Sequence, residues 1–111
     1  MKVTKRMINE LPIDRKENIL NKISIFEETL LKNKSLSNIQ KGFWIRNIKG
    51  TDVYKFRVNS GDRILFKYID NEIYFISYCK HDDQVRVARN YKNGSQLLDF
   101  KIDKKDRKSV V

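Results

Sequence analysis

The chain has very few of the side chains that crosslink a fold, ligate metals or cross a membrane. Cys79 is the only cysteine among 111 residues, which excludes an intramolecular disulfide and a cysteine-based zinc cluster and fits a reducing, cytoplasmic setting. No run of about 18 consecutive apolar residues occurs. The opening segment "MKVTKRMINELPIDRKENIL" carries basic residues without the apolar stretch of a signal peptide, so neither membrane spanning nor export is expected. Carboxylates are also scarce: 14 Asp and Glu stand against 24 Lys and Arg, giving a formal charge of +10 and a pI near 9.8. A positive field of that size points to a polyanionic partner. The alternative is a lysine-rich surface that only keeps the protein soluble.

What is present reads as one domain over residues 1–91 followed by a basic extension over 92–111. There is no internal repeat and no low-complexity linker. "MKVTK" can begin a strand, and Met7, Ile8 and Leu11 before Pro12 suit either that strand or a short helical turn. From Asp14 onward Ile19, Leu20, Ile23, Phe26, Leu30 and Leu31 recur at three- and four-residue steps. This predicts a helix over 14–33, with Asp14 as N-cap and Glu17 at capping-box spacing. Ser35 to Gly42 suggests a second, short helix. Strands are predicted over 53–58, 63–69 and 72–80, joined by the turn-rich separators "NSGD" and "DN" into an antiparallel meander. In the extension, Leu97, Leu98, Phe100 and Ile102 suit a short strand or helix. The expected class is α+β, with N-terminal helices on one face of a small antiparallel sheet.

Alternation along the strands gives the sheet two faces. A two-residue turn at Asp70 and Asn71 sets Phe66 opposite Phe75 and Tyr68 opposite Ile73. A three-residue loop of Ser60, Gly61 and Asp62 sets Val58 opposite Ile64. Tyr54, Phe56, Val58, Ile64, Phe66, Tyr68, Ile73 and Phe75 then form a core face for the helix to cover. The other face carries Lys55, Arg57, Arg63, Lys67, Tyr74, Tyr78 and Lys80, with Leu65 and Ile76 between them. Cations neutralise phosphates and tyrosines stack unpaired bases, so these seven are the candidate nucleic-acid-binding residues. An ordinary solvated sheet face is the competing reading.

The run "IKGTDVYKFRVNSGDRILFKYIDNEIYFISYCKHDD" resembles the RelE/ParE superfamily of toxin domains. The resemblance lies in Tyr54-Lys55-Phe56-Arg57 as a Tyr-Lys/Arg-x-Arg strand, Gly61-Asp62-Arg63 as a Gly-x-Arg turn, and His81 where the third strand ends in Arg or His. It implies a RelE-like fold and a ribosome-dependent endoribonuclease that cuts mRNA without metal or cofactor, held in check by an acidic antitoxin protein. It further implies catalytic roles for Lys55, Arg57, Arg63 and His81. The arginines would stabilise phosphorane charge, Lys55 would stabilise charge or assist the base, and His81 would transfer a proton. Asp82 and Asp83 follow His81 where many ribonuclease members carry basic residues and a tyrosine, and Tyr91 lies farther along. The ending "KHDDQVRVARN" is also similar to RelE-like domains attached to bacterial DNA helicases. That similarity implies a non-catalytic binding module for nucleic acid or a helicase. A ParE-like inhibitor of DNA gyrase is the third reading. Phe43 and Trp44 are expected to plug the core between helix and sheet rather than to serve as base-stacking platforms, and Gly61 to supply a positive backbone angle in its hairpin.

Overall fold

The computed structural model describes residues 2–90 and 100–102. The chain forms β1 (Lys2–Thr4), α1 (Lys5–Glu10), a 3-10 turn (Ile13–Arg15), α2 (Lys16–Asn33), α3 (Leu36–Phe43), β2 (Arg46–Asn47), β3 (Tyr54–Arg57), β4 (Asp62–Ile69), β5 (Glu72–Lys80), a second 3-10 turn (His81–Asp83), α4 (Gln84–Arg89) and β6 (Phe100–Ile102). The strands lie in the order β2-β3-β4-β5-β1-β6. The class is α+β as expected, but the sheet is mixed, because β1 runs parallel to β5 while β6 returns antiparallel to β1. Phe100 and Ile102 thus fall in a strand. Leu97, Leu98, Tyr91 and the rest of the expected extension lie outside the described residues.

The predicted long helix is present, shorter by one turn of a different kind. Residues 13–15 wind as a 3-10 turn, and α2 starts at Lys16 with no side-chain cap. Asp14 pairs instead with its neighbour Arg15 at 3.2 Å. The helix buries Ile19, Ile23, Phe26 and Leu30, while Leu31 stays exposed. It stops at Lys34, whose left-handed backbone (φ 55°) lets its N–H reach the Leu30 carbonyl at 2.7 Å. The α3 helix runs through Gly42 and ends one residue later than expected.

Where the short β1 ends, α1 takes over the exposed edge of β5. Thr4 Oγ1 accepts from the Met7 N–H, capping α1, and donates to the Ile76 carbonyl at 2.8 Å. One turn on, Glu10 Oε1 accepts from the Tyr78 N–H at 3.1 Å and from Ser77 Oγ at 2.9 Å. Polar groups that a longer strand would have paired are satisfied by side chains.

The β4–β5 hairpin turns on Asp70 and Asn71, both at positive φ (51° and 66°), as a two-residue turn matching the strand twist requires. Phe66 faces Phe75 and Tyr68 faces Ile73 as predicted, but a bulge follows. Leu65 pairs with Ser77, leaving Ile76 as the extra residue. The β3–β4 loop is displaced by one residue. Asn59, Ser60 and Gly61 form it, and Phe56 rather than Val58 faces Ile64. The cause is Asn59, whose Oδ1 accepts from the N–H groups of both Gly61 and Asp62 at 2.9 Å. Gly61 does not adopt a positive φ; Gly50, at 82°, does. A two-residue shift preserves the facing, so all eight predicted core residues lie in or against the helix-side core.

The opposite face is not open. Leu65, Ile76 and Cys79 are buried there with Ile48, Val53 and Ala88, under α4 and the segment between β2 and β3. Leu65 and Ile76 belong to this second, smaller core rather than lying between solvated cations.

Candidate functional site

Four cations gather on that second face at its β2–β3–β4 end. Lys55 lies between Arg46 of β2 and Leu65 of β4, and Arg57 pairs with Arg63 across β3 and β4. Directly opposed like charges are unfavourable in a sheet. Among the described residues no carboxylate lies within ion-pair distance of any of the four. The electrostatic result is legible in the lysine. Burial first, then Arg63, Arg46 and Arg57, lower the pKa of Lys55 below the ordinary lysine value.

Each arginine is held differently. Arg63 is only 5% exposed, and its Nη1 donates to the carbonyls of Asn59 (2.7 Å), Ser60 (3.2 Å) and Asp62 (3.1 Å). Its Nε is buried with no hydrogen-bond partner among the described residues. Burial and Arg57 shift its pKa down. Arg57 is half-buried and lies over the ring of Trp44, its guanidinium carbon 5.1 Å from the centroid. Trp44 is not a core plug: it is 57% exposed, whereas Phe43 is buried as expected.

The loop that holds Arg63 is itself pinned by the residue before it. Asp62 is buried, and its carboxylate accepts from Tyr78 Oη (2.6 Å), Asn59 Nδ2 (2.8 Å) and Arg15 Nε (3.0 Å) and Nη2 (3.2 Å). Burial pushes its pKa up, but these hydrogen bonds outweigh it and hold the carboxyl at about 2, below its usual 3.8. The group's contribution is therefore full above the ordinary carboxylate range and is lost as pH falls from about 4 through about 2. We predict that Asp62→Asn removes about 2 kcal/mol of stability near neutral pH, and that this gap to the wild type closes on acidification through that window. Urea unfolding of both proteins across the acid range measures it. A gap independent of pH contradicts the assignment.

His81 begins the turn after β5, and its N–H donates to the Gly61 carbonyl at 3.0 Å. The predicted histidine therefore stands beside the same loop, two residues from Cys79, the cross-strand partner of Arg63. Its imidazole is half exposed, with Nδ1 3.1 Å from Asp82.

The remaining predicted residues do not join this cluster. Lys67 is fully buried and pairs with Asp52 at 3.4 Å. Tyr74 is on the expected face but on the β1 side of the sheet, under the Lys2 ammonium. The bulge at Ile76 reverses the facing beyond it, so Tyr78 packs against the helix-side core and bonds Asp62. Lys80, paired with Asp62, follows Tyr78 to that side. Conversely, Arg46 is absent from the expected site residues, and Trp44, expected in the core, lies exposed beside Arg57. Their alternation in "FWIRN", two residues apart before a strand rich in cations, was the available signal.

Among the described residues no helix is long and apolar enough to cross a membrane, and no three His, Cys, Asp or Glu side chains gather as metal ligands would. Comparison of the chain with protein-family models, with curated proteins and with solved structures gives no match.

Proposed function

We propose that the chain is a cytoplasmic, RelE-like toxin of a toxin–antitoxin pair, an endoribonuclease that cuts mRNA on the ribosome without metal or cofactor. The observation that carries the reading is the cluster of Arg46, Lys55, Arg57 and Arg63, with no carboxylate at ion-pair distance among the described residues and with a lysine whose pKa is lowered. A group that surrenders its proton more readily, set among fixed cations, suits attack by a ribose 2′-hydroxyl on the adjacent phosphorus. Neutral Lys55 accepts the hydroxyl proton as the 2′-oxygen bonds to phosphorus. Arg57 and Arg63 meet the charge on the phosphorane. His81 supplies a proton to the departing 5′-oxygen, leaving a 2′,3′-cyclic phosphate and a 5′-hydroxyl. The excess of cations fits an acidic antitoxin as the resting partner.

A second reading, a RelE-fold module that binds nucleic acid or a helicase without cutting, has its own support. Arg63 is almost fully buried and three carbonyls engage its Nη1, which leaves less of it for a reacting phosphate. Inducible expression in a bacterial host, with growth and mRNA 5′-end mapping, separates the two. The toxin reading expects growth arrest and new cuts in translated messages, both lost in Arg57→Ala and His81→Ala. Normal growth and no new ends, with soluble folded protein, would leave the non-catalytic module.

A further inference from the structure

We infer that Trp44 is the stacking platform for an unpaired base, so that the basic cluster takes single-stranded nucleic acid in preference to duplex. The inference rests on the nucleic-acid reading of that cluster and adds to it the class of substrate. Three observations meet at this residue. Its indole is large and apolar yet 57% exposed, against Arg57 of a cluster that has no carboxylate at ion-pair distance among the described residues. Its backbone is left-handed, with φ at 56°, a conformation that suits glycine or asparagine and disfavours a bulky side chain. The Arg57 guanidinium lies over the ring, tying the platform to a phosphate-binding group.

An exposed tryptophan in a disfavoured backbone conformation adds little to the fold, so its place calls for a ligand. Charge complementarity requires that ligand to be anionic, and the ring favours one with a flat apolar face. Single-stranded nucleic acid has both along its length. In a duplex the base faces are already stacked on one another, and an acidic peptide presents a flat face only where an aromatic residue occurs, not at every unit. Base–aromatic stacking tolerates any sequence, so the platform selects strandedness rather than a particular base.

Trp44 is the sole tryptophan, so its fluorescence reports this site alone. The probe is a 2′-O-methyl oligouridylate of about ten nucleotides, a length suited to a small single-strand site. Its blocked 2′-oxygens prevent cleavage, and a dye label allows anisotropy to be read in the same titration. Saturable quenching is expected at the concentrations where anisotropy rises. An abasic strand of equal charge, and a duplex, should bind roughly tenfold more weakly and leave the fluorescence unchanged. Trp44→Ala should weaken binding roughly tenfold at an unaltered salt slope, since phosphate contacts are kept, while Trp44→Phe restores most of it.

An anisotropy rise without quenching, or wild-type affinity in Trp44→Ala, overturns the inference. So does the absence of any binding, which, when messages in cells are also uncut, removes the nucleic-acid reading with it. Cleavage of messages in cells without quenching defeats the platform and spares the toxin reading. Quenching without cleavage does the reverse.

Discussion

Lys55→Met is expected to lower mRNA cleavage about a hundredfold or more, the range for loss of a general base, while raising the stability of the fold. Both effects follow from one environment. Burial and the neighbouring Arg63, Arg46 and Arg57 disfavour the lysine's charge. In the unfolded chain the same lysine keeps its proton up to the ordinary lysine range. Between the lowered and the ordinary value the unfolded state binds more protons, so stability rises with pH across that interval. Below it, the charge is a net cost to the folded state. Methionine keeps the length and apolar contact of the side chain and removes the charge, so the urea midpoint near neutral pH should increase. Cleavage by the wild type should rise with pH and level off below the ordinary lysine range. Lys55→Arg, charged throughout, should lose that rise. A Lys55→Met protein that cuts like the wild type would remove Lys55 from the chemistry, and one less stable than the wild type would overturn the reading of its charge as a cost to the fold.

Local patterns in the sequence were enough to place the α2 helix, the three-strand meander and the helix-side core, because each depends on short periodicities. Ile19, Ile23, Phe26 and Leu30 are spaced for one helical face, and Asp70–Asn71 suits its turn unaided. The facing of Tyr78 and Lys80 was not legible. It depends on a bulge at Ile76 at the end of the paired stretch between β5 and β1, where Ser77 and the Tyr78 N–H meet Glu10, 68 positions from Tyr78. Period-two counting cannot register an extra residue. Lys67 failed for a related reason: its partner Asp52 lies in the segment between β2 and β3, outside any strand pairing. Arg57 and Arg63 were found as neighbours because they share a hairpin, whereas Arg46 reaches the cluster through a two-residue strand too short for a pattern.

The cations on one face are aligned by what lies on the other, and Phe26 is where that support concentrates. Its ring stacks on Phe56 at 4.3 Å with planes 11° apart, and meets Phe43 and Phe66 at 5.0 Å and Phe75 at 6.1 Å. One side chain of α2 thereby touches α3 and all three strands of the meander. Phe56 sits between Lys55 and Arg57, so its inward seating turns both cations outward. Phe26→Ala removes a fully buried ring from among four others that cannot all collapse into the space. We expect a loss of about 4 kcal/mol, in the range for such truncations. That is a large share of the roughly 5–15 kcal/mol that holds a domain folded. Phe26→Leu, which keeps most of the volume, should lose roughly 1–2 kcal/mol. Urea unfolding of the three proteins measures both. A loss below about 1 kcal/mol for alanine would mean that the ring cluster repacks freely, contrary to the limited relaxation of close-packed cores. Phe26→Leu should also bind the oligouridylate with near wild-type affinity while folded, since the hairpin seating Lys55 and Arg57 is intact. Phe26→Ala should lose binding in parallel with its folded fraction as urea is added.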